Sequence, residues 1–216
     1  MPTSYPENIS RIITLIMEIR PHSILDAGTG FGKYGFLCRE YLDVCQGRFQ
    51  KKDWQIKIDG IEGFDPYLSD LQRLIYDKIL SGDIFEIFSK AEKQSYDLLL
   101  AIDILEHFEK DQGARFLGEC MRIARLVLVS VPIGYAQGAV FGNPLEQHRA
   151  EWSRKDFRAL RAPLILKGHQ SWIVLLSQNF PENLHFLKRI KFIEFRGKIK
   201  RELKRRLSFL SSPASI

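Results

Sequence analysis

The chain has 216 residues, of which 45% are hydrophobic and 27% charged, with a net charge of +6. This is ordinary globular composition, which excludes a disordered or fibrous protein, and the length suffices for one large domain, or one domain and an appendage. No window approaches 18 consecutive apolar residues, which argues against a membrane-spanning helix, and the first ten residues lack the basic and apolar regions of a secretory signal.

In chain order, Ile9 to Ile19 is predicted as a helix, because isoleucines recur there at helical spacing. Ser23 to Ala27 reads as a short apolar strand ending in glycines, and Lys33 to Val44 as a helix. Cys38 and Cys45, seven apart, predict one buried helical face. With Cys120 they make an odd set without CxxC spacing, which points to reduced thiols and a cytoplasmic location. Trp54 to Ile61 alternates as a strand, Pro66 to Ile75 reads as a helix with Pro66 in its first turn, and Ile79 to Gly82 as a strand. An apolar strand, Tyr96 to Ile102, precedes a helix near Lys110 to Ile123, and Leu126 to Val131 is a further strand stopped by Pro132. Strands apolar on both faces, alternating with helices, predict a mostly parallel sheet covered on both sides. A long loop follows from Ile133 to Trp152. Ser153 and Asp156 then form a capping-box pattern for a helix ending near Arg161, and Leu164 to Lys167 and Trp172 to Leu176 are the last strands.

From Phe186 onward ten Lys or Arg face two Glu, a net +8, so the rest of the chain carries about −2. Phe192, Phe195, Ile199, Leu203, Leu207 and Leu210 step by three or four through this run. The pattern predicts a basic amphipathic helix from Pro181 to the end, separate from a domain over residues 1–180. Three partners suit it: the domain itself or a second copy in a homodimer, the anionic inner surface of a membrane, and nucleic-acid phosphates.

The segment Leu25 to Gly35 reads LDAGTGFGKYG, after a strand and into a helix. A dinucleotide fingerprint, GxGxxG, would need glycine where Lys33 stands. The order Asp26-x-Gly28-x-Gly30-x-Gly32 instead resembles motif I of class I S-adenosylmethionine (SAM)-dependent methyltransferases. The resemblance covers about Ser23 to Pro132. It implies a doubly wound, Rossmann-like, mostly parallel seven-stranded α/β sheet with helices on both faces. It further implies SAM as cofactor, with Asp26 near its methionine amino end and Gly28, Gly30 and Gly32 passing beneath it. The acid that holds the ribose hydroxyls would be Glu62, in Ile61-Glu62, or Asp65 three residues later. Gly82-Asp83-Ile84 resembles the family's adenine-binding turn, with Asp83 accepting from the amino group and the Ile84 amide reaching the ring.

Tyr96 to Gly113, YDLLLAIDILEHFEKDQG, is similar to the fourth strand and following loop of small-molecule methyltransferases with a D-x-x-E-H segment. Asp103, Glu106 and His107 at i, i+3 and i+4 would share one face of a helical turn. Some methyltransferases that act on adjacent oxygens, in the ubiquinone pathway and at small-RNA 3′ ends, carry a related cluster completed by a later histidine. Here that histidine would be His148. Three uses are open: ordering the cofactor pocket, general-base work by His107 or His148 beside Glu106, or holding Mg²⁺ or Mn²⁺ through Asp103, Glu106, His107 and His148. The family's usual Leu-Lys-Pro-Gly-Gly-like turn is missing before the fifth strand. So is the Asn/Asp-Pro-Pro-aromatic motif of amino-methylating enzymes after the fourth, which favours a hydroxyl acceptor on a small molecule, glycan or lipid-linked metabolite. A ribose hydroxyl of RNA, or SAM binding without catalysis, are the alternatives. Tyr135, Phe141 and Trp152 would make the loop an aromatic cover over the acceptor.

Overall fold

A computed structural model describes residues 4–134, 136–178 and 187–190. The chain divides into two compact units, Met1–Phe180 and Pro181–Ile216. In the second unit 187–190 form a helical turn, and the rest of the expected basic helix lies outside the described residues, as does Tyr135. No helix among the described residues is long and apolar enough to cross a membrane.

The first unit is a seven-stranded sheet of order β3-β2-β1-β4-β5-β7-β6. Its strands are β1 (Ser23–Ala27), β2 (Lys57–Glu62), β3 (Lys78–Ser81), β4 (Tyr96–Ile102), β5 (Ala124–Pro132), β6 (Leu164–Lys167) and β7 (Ser171–Leu176). The five strands from β3 to β5 pair parallel, and β7 pairs antiparallel with both β5 and β6. The expected doubly wound α/β sheet is therefore present. Its helices are α1 (Pro6–Ile19), α2 (Lys33–Leu42), α3 (Asp70–Ile75), α4 (Ile84–Ser89), α5 (Lys110–Ile123) and α6 (Arg154–Ala159).

The central strands explain why the sequence read so clearly. Leu98 to Ala101 and Val127 to Val129 are fully buried, as parallel strands covered on both faces must be. Leu25, Leu99, Val127, Val129 and Val174 form one core with Phe88 of α4, Phe116, Leu117 and Cys120 of α5, and Phe157 of α6. Trp152 belongs to this core, 4% exposed and stacked on Phe157 at 6.0 Å. It is not an acceptor cover, and Phe141 is 71% exposed.

Several boundaries differ from the expectation. α2 stops at Leu42, because Asp43 turns inward and takes Arg39, Arg48 and the Gln55 amide. Cys45 therefore falls in a 3₁₀ turn and is exposed, while Cys38 is buried. Pro66 lies in a separate 3₁₀ turn, Asp65–Tyr67, and α3 starts four residues later under a capping box made by Ser69 and Gln72. α4 was unforeseen: its six residues, IFEIFS, are too few to show a helical period, and Asp83 starts it as N-cap by accepting from the Phe85 and Glu86 amides.

Candidate functional site

In an open α/β sheet a crevice forms where neighbouring strands send their connections in opposite directions. Here that point lies between β1, which leads outward to β2 and β3, and β4, which leads to β5. A cleft of about 1640 Å³ opens there, lined by Gly28, Gly30 and Gly32 after β1, Glu62 at the end of β2, Asp83 after β3 and Asp103 after β4. A typical single-ligand pocket is roughly 300–1,000 Å³, so the cleft has room for two ligands.

The glycine turn is built for close approach. Gly28, Gly30 and Gly32 all have positive φ (78°, 51° and 89°), which glycine adopts without steric cost. The turn is anchored on β2, since the Gly28 and Thr29 amides donate to the Ile61 carbonyl at 2.9 and 3.0 Å. Glu62 fixes its tip: its carboxylate accepts from the Gly30 amide at 2.7 Å and, through the other oxygen, from the Phe64 amide at 3.0 Å. Burial pushes the Glu62 carboxyl up, against the pull of these amide donors. The Thr29 hydroxyl also donates to the first oxygen at 3.4 Å, and the oxygen that takes Phe64 keeps a lone pair for a further donor. Asp65 points elsewhere, its carboxylate bonded to the Ser81 hydroxyl, and it does not line the cleft. Of the two candidate ribose acids, Glu62 is the one that lines the cleft.

Asp26 lies beneath the turn, 3% exposed, and accepts from the Tyr76 hydroxyl at 2.6 Å. Burial pushes its carboxyl up to about 7, against the Tyr76 hydrogen bond. Asp83 lines the cleft while capping α4, and Ile84 lies beside it.

Past β4 the chain turns sharply at Asp103, whose φ of 51° is left-handed. A non-glycine residue in that region costs about 1–3 kcal/mol and concentrates at functional sites. The residues after it form a 3₁₀ turn, Leu105–His107, so the i, i+3, i+4 logic of a helix does not apply. Asp103 faces Ser130 instead, accepting its hydroxyl at 2.8 Å. Asp103 thus stands beside the expected four-residue metal set and not in it. Ligating atoms of Glu106, His107 and His148 all lie within 4.8 Å of one another.

This trio is assembled by the loop after β5. The Arg149 and Ala150 amides donate to the Glu106 carbonyl at 2.8 and 3.2 Å, and His107 Nδ1 meets the Gln147 carbonyl at 3.2 Å. The two imidazoles stand edge to face with centroids 5.0 Å apart. His148 Nε2 is 4.0 Å from Glu106 Oε1, and buried Glu106 Oε2 has no hydrogen-bond partner among the described residues. Burial pushes Glu106 well above the usual carboxylate range, with the Asp103 charge adding to it. Burial also lowers His107, which keeps that ring neutral. In place of Phe141 and Trp152, the loop lines the cleft with Gln137, Asn143, Leu145, Glu146, His148 and Arg149. Nothing in their periodicity marks them, because an irregular loop has none.

No family model and no curated protein matches the amino-acid sequence. Solved structures match the fold. The methyltransferase domain of bacterial CtHen1 superposes with a TM-score of 0.52 at 16% identity, over 79% of this chain and 97% of that one. A SAM-dependent methyltransferase from Archaeoglobus fulgidus gives 0.55 at 12%, over 77% and 90%. An O-methyltransferase family protein from Burkholderia thailandensis gives 0.55 at 11%, over 79% of this chain and 56% of that one. The fold is that of the class I SAM-dependent methyltransferases.

Proposed function

We propose that the protein is a SAM-dependent methyltransferase acting on a hydroxyl of a small molecule, sugar or lipid-linked metabolite. One observation carries this: a single cleft joins a glycine turn backed by Glu62 to a cluster of buried Glu106 with half-buried His107 and His148. The first half suits SAM, with Glu62 for the ribose, Asp83 for the adenine and Asp26 toward the amino end. The second half suits a hydroxyl that must lose its proton. Bound SAM supplies a methyl already activated on sulfonium sulfur. The sulfur–methyl bond breaks as the methyl–oxygen bond forms, and the acceptor's proton passes to a neutral imidazole of the cluster. The remaining task is alignment, which can supply roughly 7–11 kcal/mol.

The trio also fits a divalent ion, since its mixed oxygen and nitrogen donors suit Mg²⁺ or Mn²⁺ and the unpartnered Glu106 oxygen gains a partner. Glu106, His107 and His148 would hold such an ion, and it would lower the pKa of the acceptor hydroxyl. EDTA is then expected to stop turnover and Mn²⁺ to restore it. Turnover indifferent to EDTA would remove the ion and leave the proton to the imidazoles.

The cofactor assignment is tested by calorimetric titration with S-adenosylhomocysteine (SAH), for which one-site, micromolar binding is expected. No binding by a folded sample would overturn the reading. Binding without turnover on any acceptor would reduce the chain to a SAM-binding module.

A further inference from the structure

The loop after β5 touches the cleft at two ends. At the reacting end, its residues 147–150 meet Glu106 and His107, as described. At the cofactor end, the Glu146 carboxylate accepts from the Tyr67 hydroxyl at 2.8 Å, joining residues 79 apart in sequence. Beside that bond Leu145 packs on Gly63, where an added Cβ would stand only 3.0 Å from Leu145 Cδ1. Gly63 and Tyr67 belong to the segment that follows Glu62, the residue holding the tip of the glycine turn. Gln137 ties the two ends together inside the loop. Its side-chain amide donates to the Glu146 carbonyl at 2.8 Å, and its own carbonyl accepts from the His148 amide at 2.9 Å. A continuous run of bonds therefore leads from Tyr67, through Glu146 and Gln137, to His148.

We propose that Tyr67 and Glu146 are positioning residues, whose hydrogen bond straps the acceptor loop to the cofactor-binding segment and so sets His148 against Glu106 and His107. The inference rests on the methyltransferase reading above. The strap couples the two halves of the cleft in a definite direction. Glu146 brings a second carboxylate toward Glu62, and the two repel. Hydroxyl donors arriving at Glu62 reduce that repulsion, so cofactor binding favours the strapped loop, and the strapped loop completes the cluster. Tyr67 stays a donor throughout, because burial and the nearby Glu146 and Glu62 carboxylates push its hydroxyl up. Neither side chain touches the reacting atoms. Their contribution passes through His148.

Hydrogen exchange of the full chain, with and without SAH, tests this. In the wild type SAH is expected to slow exchange across residues 137–149 about three- to tenfold, the worth of one hydrogen bond. In Tyr67→Phe and Glu146→Ala that added protection is lost, while calorimetry shows SAH still bound. The double variant loses no more than either single one, as residues acting through one bond must. Glu146→Gln, whose amide oxygen still accepts from Tyr67 but whose charge no longer repels Glu62, keeps wild-type kcat and protects the loop already without SAH. In methyl transfer the strapless variants lose kcat, and their KM for SAM rises by no more than the same three- to tenfold. Equal SAH protection in Tyr67→Phe and wild type, or losses that multiply in the double variant, would overturn the strap while leaving the methyltransferase reading intact. Failure of the wild type to bind SAH would fall on that reading instead.

Discussion

Glu106→Gln is expected to lower kcat by roughly 10²–10⁴-fold, the usual worth of a positioned proton-transfer group, while SAH binds within about threefold of wild type. The carboxylate is 3% exposed, and it faces His148 and not the glycine turn. The change keeps the side chain's shape and removes its ability to take and give a proton. Because Glu106 Oε2 has no hydrogen-bond partner, the wild-type carboxyl is a strained occupant of the core. The neutral amide is expected to melt close to wild type, because burial already favours the neutral form of the wild-type carboxyl. His148→Asn should cost a similar factor, and the pair should be far from additive, as groups acting as one unit are. Transfer of labelled methyl from SAM, run beside calorimetry with SAH, measures both halves. A kcat within tenfold of wild type would remove Glu106 from the reacting centre.

Asp26→Asn is expected to change how stability depends on pH. Burial raises the wild-type carboxyl to about 7 from an ordinary 3.8. Between those values the folded protein keeps a proton that the unfolded chain has released, so wild-type stability falls as pH rises through that window. The accumulated loss near pH 7 is on the order of 4 kcal/mol. Asparagine does not titrate and still accepts from the Tyr76 hydroxyl, so the variant should lose less stability than wild type from pH 4 to 7, keeping only the fall that Glu62 and Glu106 contribute. Cofactor binding should move the other way. A cation at Asp26 favours the ionised carboxylate, so wild-type affinity for SAH, which carries an ammonium group, should rise with pH toward neutrality. The asparagine variant should bind about ten- to a hundredfold more weakly, with no such rise, because a charged hydrogen bond is replaced by a neutral one. Melting curves and SAH titrations at a few pH values decide both. Parallel profiles for the two proteins would show that Asp26 neither titrates in this range nor meets the ligand's cation.

The strands were legible because β1, β4 and β5 are buried on both faces, and a run such as Tyr96 to Ile102 allows few other readings. The glycine turn was legible for a related reason: glycines at alternate positions after a strand are a local demand on backbone shape. Glu62 over Asp65 was not decidable from spacing, because it depends on which carboxylate faces the turn and which is taken by Ser81. At the acceptor half, local spacing misled for Asp103, since its left-handed φ breaks the helical register. Trp152 looked like a cover because it ends a loop, yet tertiary packing on Phe157 takes it into the core. Glu146 and Tyr67 carried no signal at all, because their meeting depends on how two distant turns fold over one crevice.

The position of β7 bears on how this chain can be made. It is the last strand in sequence, yet it sits inside the sheet between β5 and β6. Until it arrives, the edge of β5, with its Leu126 to Val131 run, offers unpaired amides and carbonyls. At roughly 5–20 residues per second of synthesis, the ribosome needs about 2–9 s to pass from Pro132 to Leu176. During that interval the nascent chain carries a sticky, half-built sheet, a natural client for a chaperone. Every described residue lining the cleft precedes Ala150. The parts that would do the chemistry are thus all synthesised before the strand that makes the sheet holding them safe from aggregation.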